Sequence, residues 1–250
     1  MIKLYGSQVE DLEEMRKHDV FALYHEVGAG KSFPCIMRTL EWQATHGGCV
    51  VVFTEVSLLR QLQDDYYKVI GNEVEVDVTT LTGKSPAHVK HQVKRNLPDI
   101  LIVNYEYAKQ ASEIIGDRGI CAIWCDEGHR LKGFRGARSK HGKRAKFIMD
   151  LSRKTPRRLL TTGSPVAQPN KPDIWALYYY LNPEIFGPTL WKFEQEYYYN
   201  LVQGQPFKKL ALKPHMKEVV SERMYGGTRF AVTRLNRPQV GIESRVLRQQ

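Results

Sequence analysis

The chain has 250 residues, 42 % hydrophobic and 10 % aromatic, enough for one large core or two small ones. It carries 37 basic and 27 acidic residues, a formal charge of +10, a balance that points to a polyanionic partner. No apolar run approaches the ~20 residues a membrane helix needs, and the opening "MIKLYGSQVEDLEEM" has acids where an export signal has an apolar centre. The expectation is therefore an intracellular protein, of cytoplasm, nucleoid or nucleus, with no membrane partner.

In chain order, a helix is predicted over 7–18 and a strand over 20–24 ("VFALY"), followed by a glycine loop and the helix-like "SFPCIMRTLEW". Strands follow at 49–54, 74–81, 99–105, 121–126 and 157–162, with helices at 57–70 and 85–97. Nearly unbroken apolar runs suit strands covered on both faces. Their alternation with helices implies right-handed βαβ units and an α/β, three-layer fold on a mainly parallel sheet. From 173 the chain turns aromatic and helical, interrupted at Pro183 and Pro188. The run "YYYL" there (178–181) reads as core packing. The division expected is one lobe over 1–190 with a helical extension of it over 191–250. Cys35, Cys49, Cys121 and Cys125 form no CxxC pair and read as buried free thiols. Cys121 and Cys125 should share one strand face, and no zinc site is expected.

The loop after the first strand is "HEVGAGKS" (25–32). Strand, glycine loop and helix together make a phosphate site meaningful. Gly28, Ala29 and Gly30 let backbone N–H groups crowd phosphate oxygens, and the helix N-terminus adds partial positive charge. Lys31 would neutralise the β- and γ-phosphates of a nucleotide, and the Ser32 hydroxyl would hold Mg²⁺. The full phosphate-loop pattern wants glycine where His25 stands, so His25 must adopt a conformation open to ordinary residues. Hydrolysis also needs carboxylates, and "AIWCDEGH" (122–129) brings them to the end of an apolar strand. Asp126 would bind the metal and Glu127 would polarise the attacking water. His129 would link this site to neighbouring elements.

Residues 130–158 hold twelve Lys or Arg and a single acid, Asp150, so the rest of the chain is close to neutral. A polyanion would touch this window, beginning at Arg130 and Lys132, directly after the acids.

These motifs resemble, in order, those of superfamily-two ATPases with a DEAH-like box, and specifically the first RecA-like lobe of Swi/Snf-type DNA-dependent ATPases. "HEVGAGKS" is similar to the family's D-E-x-G-x-G-K-[ST], "VVFTEVSLLRQL" to its second block, and "LIVNYEYAKQ" to its S-Y-E block. "DEGHRLKG" differs from D-E-A-H-R-[LI]-K-N at two places, and "RLLTTGSPVAQPNKPDIWALYYYLNPEIFG" resembles the family's most specific stretch. The likeness is good to about residue 190 and fades by 240.

The resemblance implies a RecA-like lobe that binds ATP and Mg²⁺, grips double-stranded DNA and works with a second RecA-like lobe, in cis or in trans. No second lobe lies in this stretch. By position, Gln8 would read adenine, and Thr162, Gly163 and Ser164 would couple nucleotide state to DNA. Thr54, Ser57, Asn104, Tyr105 and Lys132 would lie along the DNA track, with Arg130 and, in "SKHGKRAKF", Lys140. Three other readings stay open: an RNA or single-stranded DNA helicase of another branch, a non-catalytic nucleotide-dependent DNA-binding module, and a small-molecule P-loop kinase.

Overall fold

The computed structural model describes residues 3–26, 28–71, 74–136, 142–163, 172–202, 210–225 and 231–233. Helix α1 (Gly6–Arg16) leads into β1 (Val20–Leu23), and α2 (Ser32–His46) into β2 (Cys49–Thr54). Then come α3 (Leu59–Ile70), β3 (Val78–Leu81), α4 (Ala87–Arg95), β4 (Ile100–Asn104), α5 (Ala108–Ile115) and β5 (Ile120–Cys125). A 3-10 segment (Gly128–Gly133) precedes α6 (Lys143–Ser152) and β6 (Arg157–Thr161). The remainder holds α7 (Ile174–Leu181), α8 (Leu190–Tyr197), β7 (Tyr198–Asn200), β8 (Leu210–Leu212), α9 (Lys217–Tyr225) and β9 (Ala231–Thr233).

Seven strands form one sheet in the order β3-β4-β2-β5-β6-β1-β9, and every pairing in it is parallel. Strands β1, β2, β4 and β5 are buried at every residue, as double coverage requires. Alternation along each strand divides the core. Phe21, Leu23, Val50, Val52, Ile102 and Trp124 face α1, α2 and α3 through Met15, Cys35, Ile36, Trp42, Leu62 and Tyr66. On the opposite face Ala22, Val51, Phe53, Val103, Ile123 and Leu160 meet Ala108, Ile148, Trp175 and Leu177 from α5, α6 and α7. This is the expected three-layer α/β arrangement.

Three expectations change. The predicted strand over 74–81 pairs only from Val78, because β4, its partner, begins at Ile100. Cys121 and Cys125 fall on opposite faces. In β5 an extra residue stands against β2: Cys49 pairs with Ile120, but Val50 pairs with Ala122. This bulge at Cys121 reverses the alternation. All four cysteines are free and buried. Finally, the stretch from 191 carries strand as well as helix. β7 and β8 form an antiparallel pair, and β9 joins the main sheet beside β1. In the aromatic run, Tyr178 and Tyr180 are fully buried. The Tyr180 hydroxyl reaches the carbonyls of Ile123 and Leu159 at 3.0 and 3.2 Å, pinning α7 across β5 and β6.

Candidate functional site

The loop that follows β1 turns back on itself at Gly28 (φ 82°) and Gly30 (φ 77°). A side chain at Gly30 would be strained by its φ and would displace the Gln8 amide, whose Nε2 lies 2.6 Å from where a Cβ would stand. Gln8 Nε2 donates to the Gly30 carbonyl at 2.9 Å, while its Oε1 accepts from the Tyr5 backbone N–H at 2.9 Å. The buried Lys31 donates from Nζ to the carbonyls of His25 and Glu26, both at 3.1 Å. Ser32 opens α2. His25 has no left-handed backbone; among the described residues Glu127 is the one non-glycine with positive φ. The His25 ring is buried and pairs through Nε2 with Asp11 at 2.8 Å. That contact ties α1, the helix carrying Gln8, to the base of the loop.

Asp126 follows β5, and the strands on both sides reach for it. Thr54, at the end of β2, donates to Oδ2 at 2.9 Å, and Thr161, at the end of β6, donates to Oδ1 at 2.8 Å. Trp124 Nε1 donates to the Thr161 hydroxyl at 3.1 Å, and the Tyr105 hydroxyl donates to the Asp126 carbonyl at 2.7 Å. Burial raises the Asp126 pKa, opposed by the two threonine hydrogen bonds and by the charge of Lys31. Glu127 is left-handed (φ 51°, ψ 51°), a conformation that costs an L-residue about 1–2 kcal/mol. Its Oε2 lies 3.1 Å from His129 Nδ1. That hydrogen bond, with the charge of Lys31, lowers its pKa against desolvation.

Lys31, Asp126 and Glu127 are thus near enough for the ammonium to stabilise both carboxylates. β1 and β5 are not adjacent, for β6 stands between them. The Thr162 backbone N–H donates to the Leu23 carbonyl of β1 at 3.1 Å, which extends the β6–β1 pairing to this end of the sheet.

The residues expected along a DNA track separate. Ser57 and Arg130 are exposed, and Lys132 is half-buried with its pKa lowered by desolvation. Thr54, Asn104 and Tyr105 are buried. The hydroxyls of Thr54 and Tyr105 are turned onto Asp126, so these two serve the acidic site rather than present a hydroxyl outward. An open groove is nonetheless lined by Thr54, Glu55, Ser57, Tyr105, Glu106 and Arg130. Ser164 and Lys140 lie outside the described residues. Thr161 was missed in the sequence, where the next residue, Thr162, drew attention. Alternation was the available signal: Leu159 pairs with Trp124, so Thr161 follows on the Trp124 side. Glu55 was missed too. Its carboxylate accepts from Arg130 Nε at 2.8 Å.

A family model for the SNF2-related domain matches residues 12–233. The human DNA repair and recombination protein RAD54B is 28 % identical over 172 residues, covering 66 % of this chain and 18 % of that protein. The yeast (Saccharomyces cerevisiae) nuclear protein STH1/NPS1 is 33 % identical over 99 residues, 40 % of this chain and 7 % of its own. The chain therefore spans less than a fifth of these relatives. Among solved structures, the Sulfolobus solfataricus SWI2/SNF2 ATPase core domain superposes with a TM-score of 0.63 at 15 % identity, covering 96 % of this chain and 45 % of that one. With a family match running through most of its length and the RecA-like fold of that core, this chain belongs to the SNF2-related domain family, of which it forms the first, Swi/Snf-type lobe.

Proposed function

We propose that this chain is the ATP-binding first lobe of a Swi/Snf-type translocase, which couples ATP hydrolysis to movement along double-stranded DNA. A second RecA-like lobe, in the same chain or another, would close over the nucleotide. One observation carries the reading: a glycine loop with its lysine, and a carboxylate fixed from both flanking strands, share one end of a parallel sheet.

The residues present fit Mg·ATP. Gly28 and Gly30 give the loop the left-handed backbone that lets N–H groups converge on phosphate oxygens. Lys31 holds loop carbonyls that it can exchange for phosphate oxygens. Ser32 and Asp126 supply the hard oxygen ligands that Mg²⁺ takes. Bound Mg²⁺ would neutralise the charge that gathers on the phosphates. Gly28, Ala29, Gly30 and Lys31 would bind the triphosphate, and Gln8 would contact adenine. Glu127, its pKa lowered, is ionised at neutral pH and would polarise water. Ser57, Arg130, Lys132 and Lys140 would meet DNA phosphates, and Thr162 and Ser164 would couple the two sites. That the relative RAD54B is a DNA repair and recombination protein supports DNA as the partner.

Calorimetry with a Mg·ATP analogue tests the binding step. Lys31→Ala is expected to weaken affinity at least tenfold, and wild-type affinity in that variant would refute the proposal. For turnover, the chain joined by its second lobe is expected to lose about 10²–10⁴-fold on Glu127→Gln while retaining nucleotide. The chain alone should bind ATP but hydrolyse it slowly.

A further inference from the structure

Four side chains run in a line from the proposed water-activating carboxylate to the open groove. Glu127 Oε2 is 3.1 Å from His129 Nδ1. The other ring nitrogen, Nε2, faces Glu55 Oε1 at 3.7 Å, inside ion-pair range but beyond a hydrogen bond. Glu55 Oε1 in turn accepts from Arg130. Glu55 and Arg130 both line the groove. A bare carboxylate in a groove meant for phosphates would repel them. Here each acid is covered by an arginine, Glu55 by Arg130 and Glu106 by Arg144. The two guanidinium side chains are 49 % and 60 % exposed, free to exchange one anion for another.

We infer that Glu55 is a positioning residue that couples occupancy of the groove by a DNA phosphate to the pose of Glu127, through His129. The inference rests on the DNA-dependent reading of the site given above. A phosphate that takes Arg130 leaves Glu55 uncovered. The Glu55 carboxylate then draws His129 Nε2 from 3.7 Å into a hydrogen bond. The ring then swings to donate from Nε2 to Glu55, and the Nδ1 contact with Glu127 is given up. Without DNA, His129 restrains Glu127; with DNA, the carboxylate is released toward water.

Histidine side-chain ¹⁵N spectra of the 250-residue chain read this without any turnover, since the two ring nitrogens are distinct and each shift follows its own hydrogen bond. The His129 signals are identified by their loss in His129→Asn. Anisotropy of a fluorescein-labelled duplex measures binding beside them. Saturating duplex is expected to move the His129 nitrogens in the wild type. In Glu55→Gln the duplex should bind up to about fivefold tighter, with the His129 signals unmoved. Arg130→Gln, a change at a half-exposed side chain, should show the DNA-type shift before any DNA is added. A duplex that binds but leaves wild-type His129 still, a Glu55→Gln shift equal to the wild type's, or a free-state spectrum in Arg130→Gln each overturns the inference and leaves the DNA reading standing. No duplex binding at all overturns both.

Discussion

Gly128 explains one departure from the family's acidic box, where alanine is usual. A Cβ at this position would stand 2.7 Å from Leu160 Cγ and 3.0 Å from its Cδ1, and Leu160 is fully buried. Gly128→Ala should therefore cost about 1–3 kcal/mol by overpacking. Urea unfolding of Gly128→Ala, Leu160→Val and the double variant checks this: the double should lose less than the two singles summed. Asp126 illustrates the opposite tension. Its folded pKa is raised by burial, so the carboxyl form is favoured in the fold and stability falls as pH rises through that pKa. Asp126→Asn should accordingly melt higher than the wild type at pH 7. The difference should shrink as pH is lowered through the carboxylate range, because the wild-type group then takes up its proton. Melting curves across pH measure this directly, and an equal gap at all pH values would contradict it. A residue that destabilises the fold in its working charge state is what a site, rather than a core, calls for.

Elements were more legible than their junctions. The run "CVVVFT" appears as strand from Cys49 to Thr54, since an uninterrupted β-branched segment has few other ways to bury itself. The glycine loop was equally plain, because Gly28, Gly30 and Lys31 are consecutive in effect and need no partner strand to be recognised. What escaped reading depends on pairing. The bulge at Cys121 exists only against β2, and the threonine clasp on Asp126 needs β2, β5 and β6 in register. Thr54, placed by likeness on a DNA track, turns its hydroxyl inward for the same reason. Glu55 could be recognised only once Arg130 had been brought to it from 75 residues away. Helix α7 depends on pairing as well. Its Tyr180 hydroxyl crosses to β5 and β6, so Tyr180→Phe should leave the fold intact but lower unfolding free energy by about 0.5–1.5 kcal/mol, read by urea denaturation. An unchanged midpoint would mean that the hydroxyl contributes nothing.

At the scale of the molecule, charge and sheet order work together. The basic window from 130 to 158 starts immediately after the acids of the site, so whatever is gripped there lies close to the proposed chemistry. Duplex affinity should fall with salt along a log–log slope of about −3 or steeper, with little sequence preference, as phosphate contacts require. Anisotropy titrations over a salt series test this, and a flat response would exclude an electrostatic grip. Among the described residues no helix is long and apolar enough to cross a membrane. The clasp on Asp126 reaches further than its two hydrogen bonds. Because the hydroxyls come from strands on either side, a sheet slipped by one residue would aim both of them at the wrong layer. On the proposed reading, a half-assembled or misaligned lobe would lack its metal seat, and an immature chain would be unable to burn nucleotide before its architecture was complete.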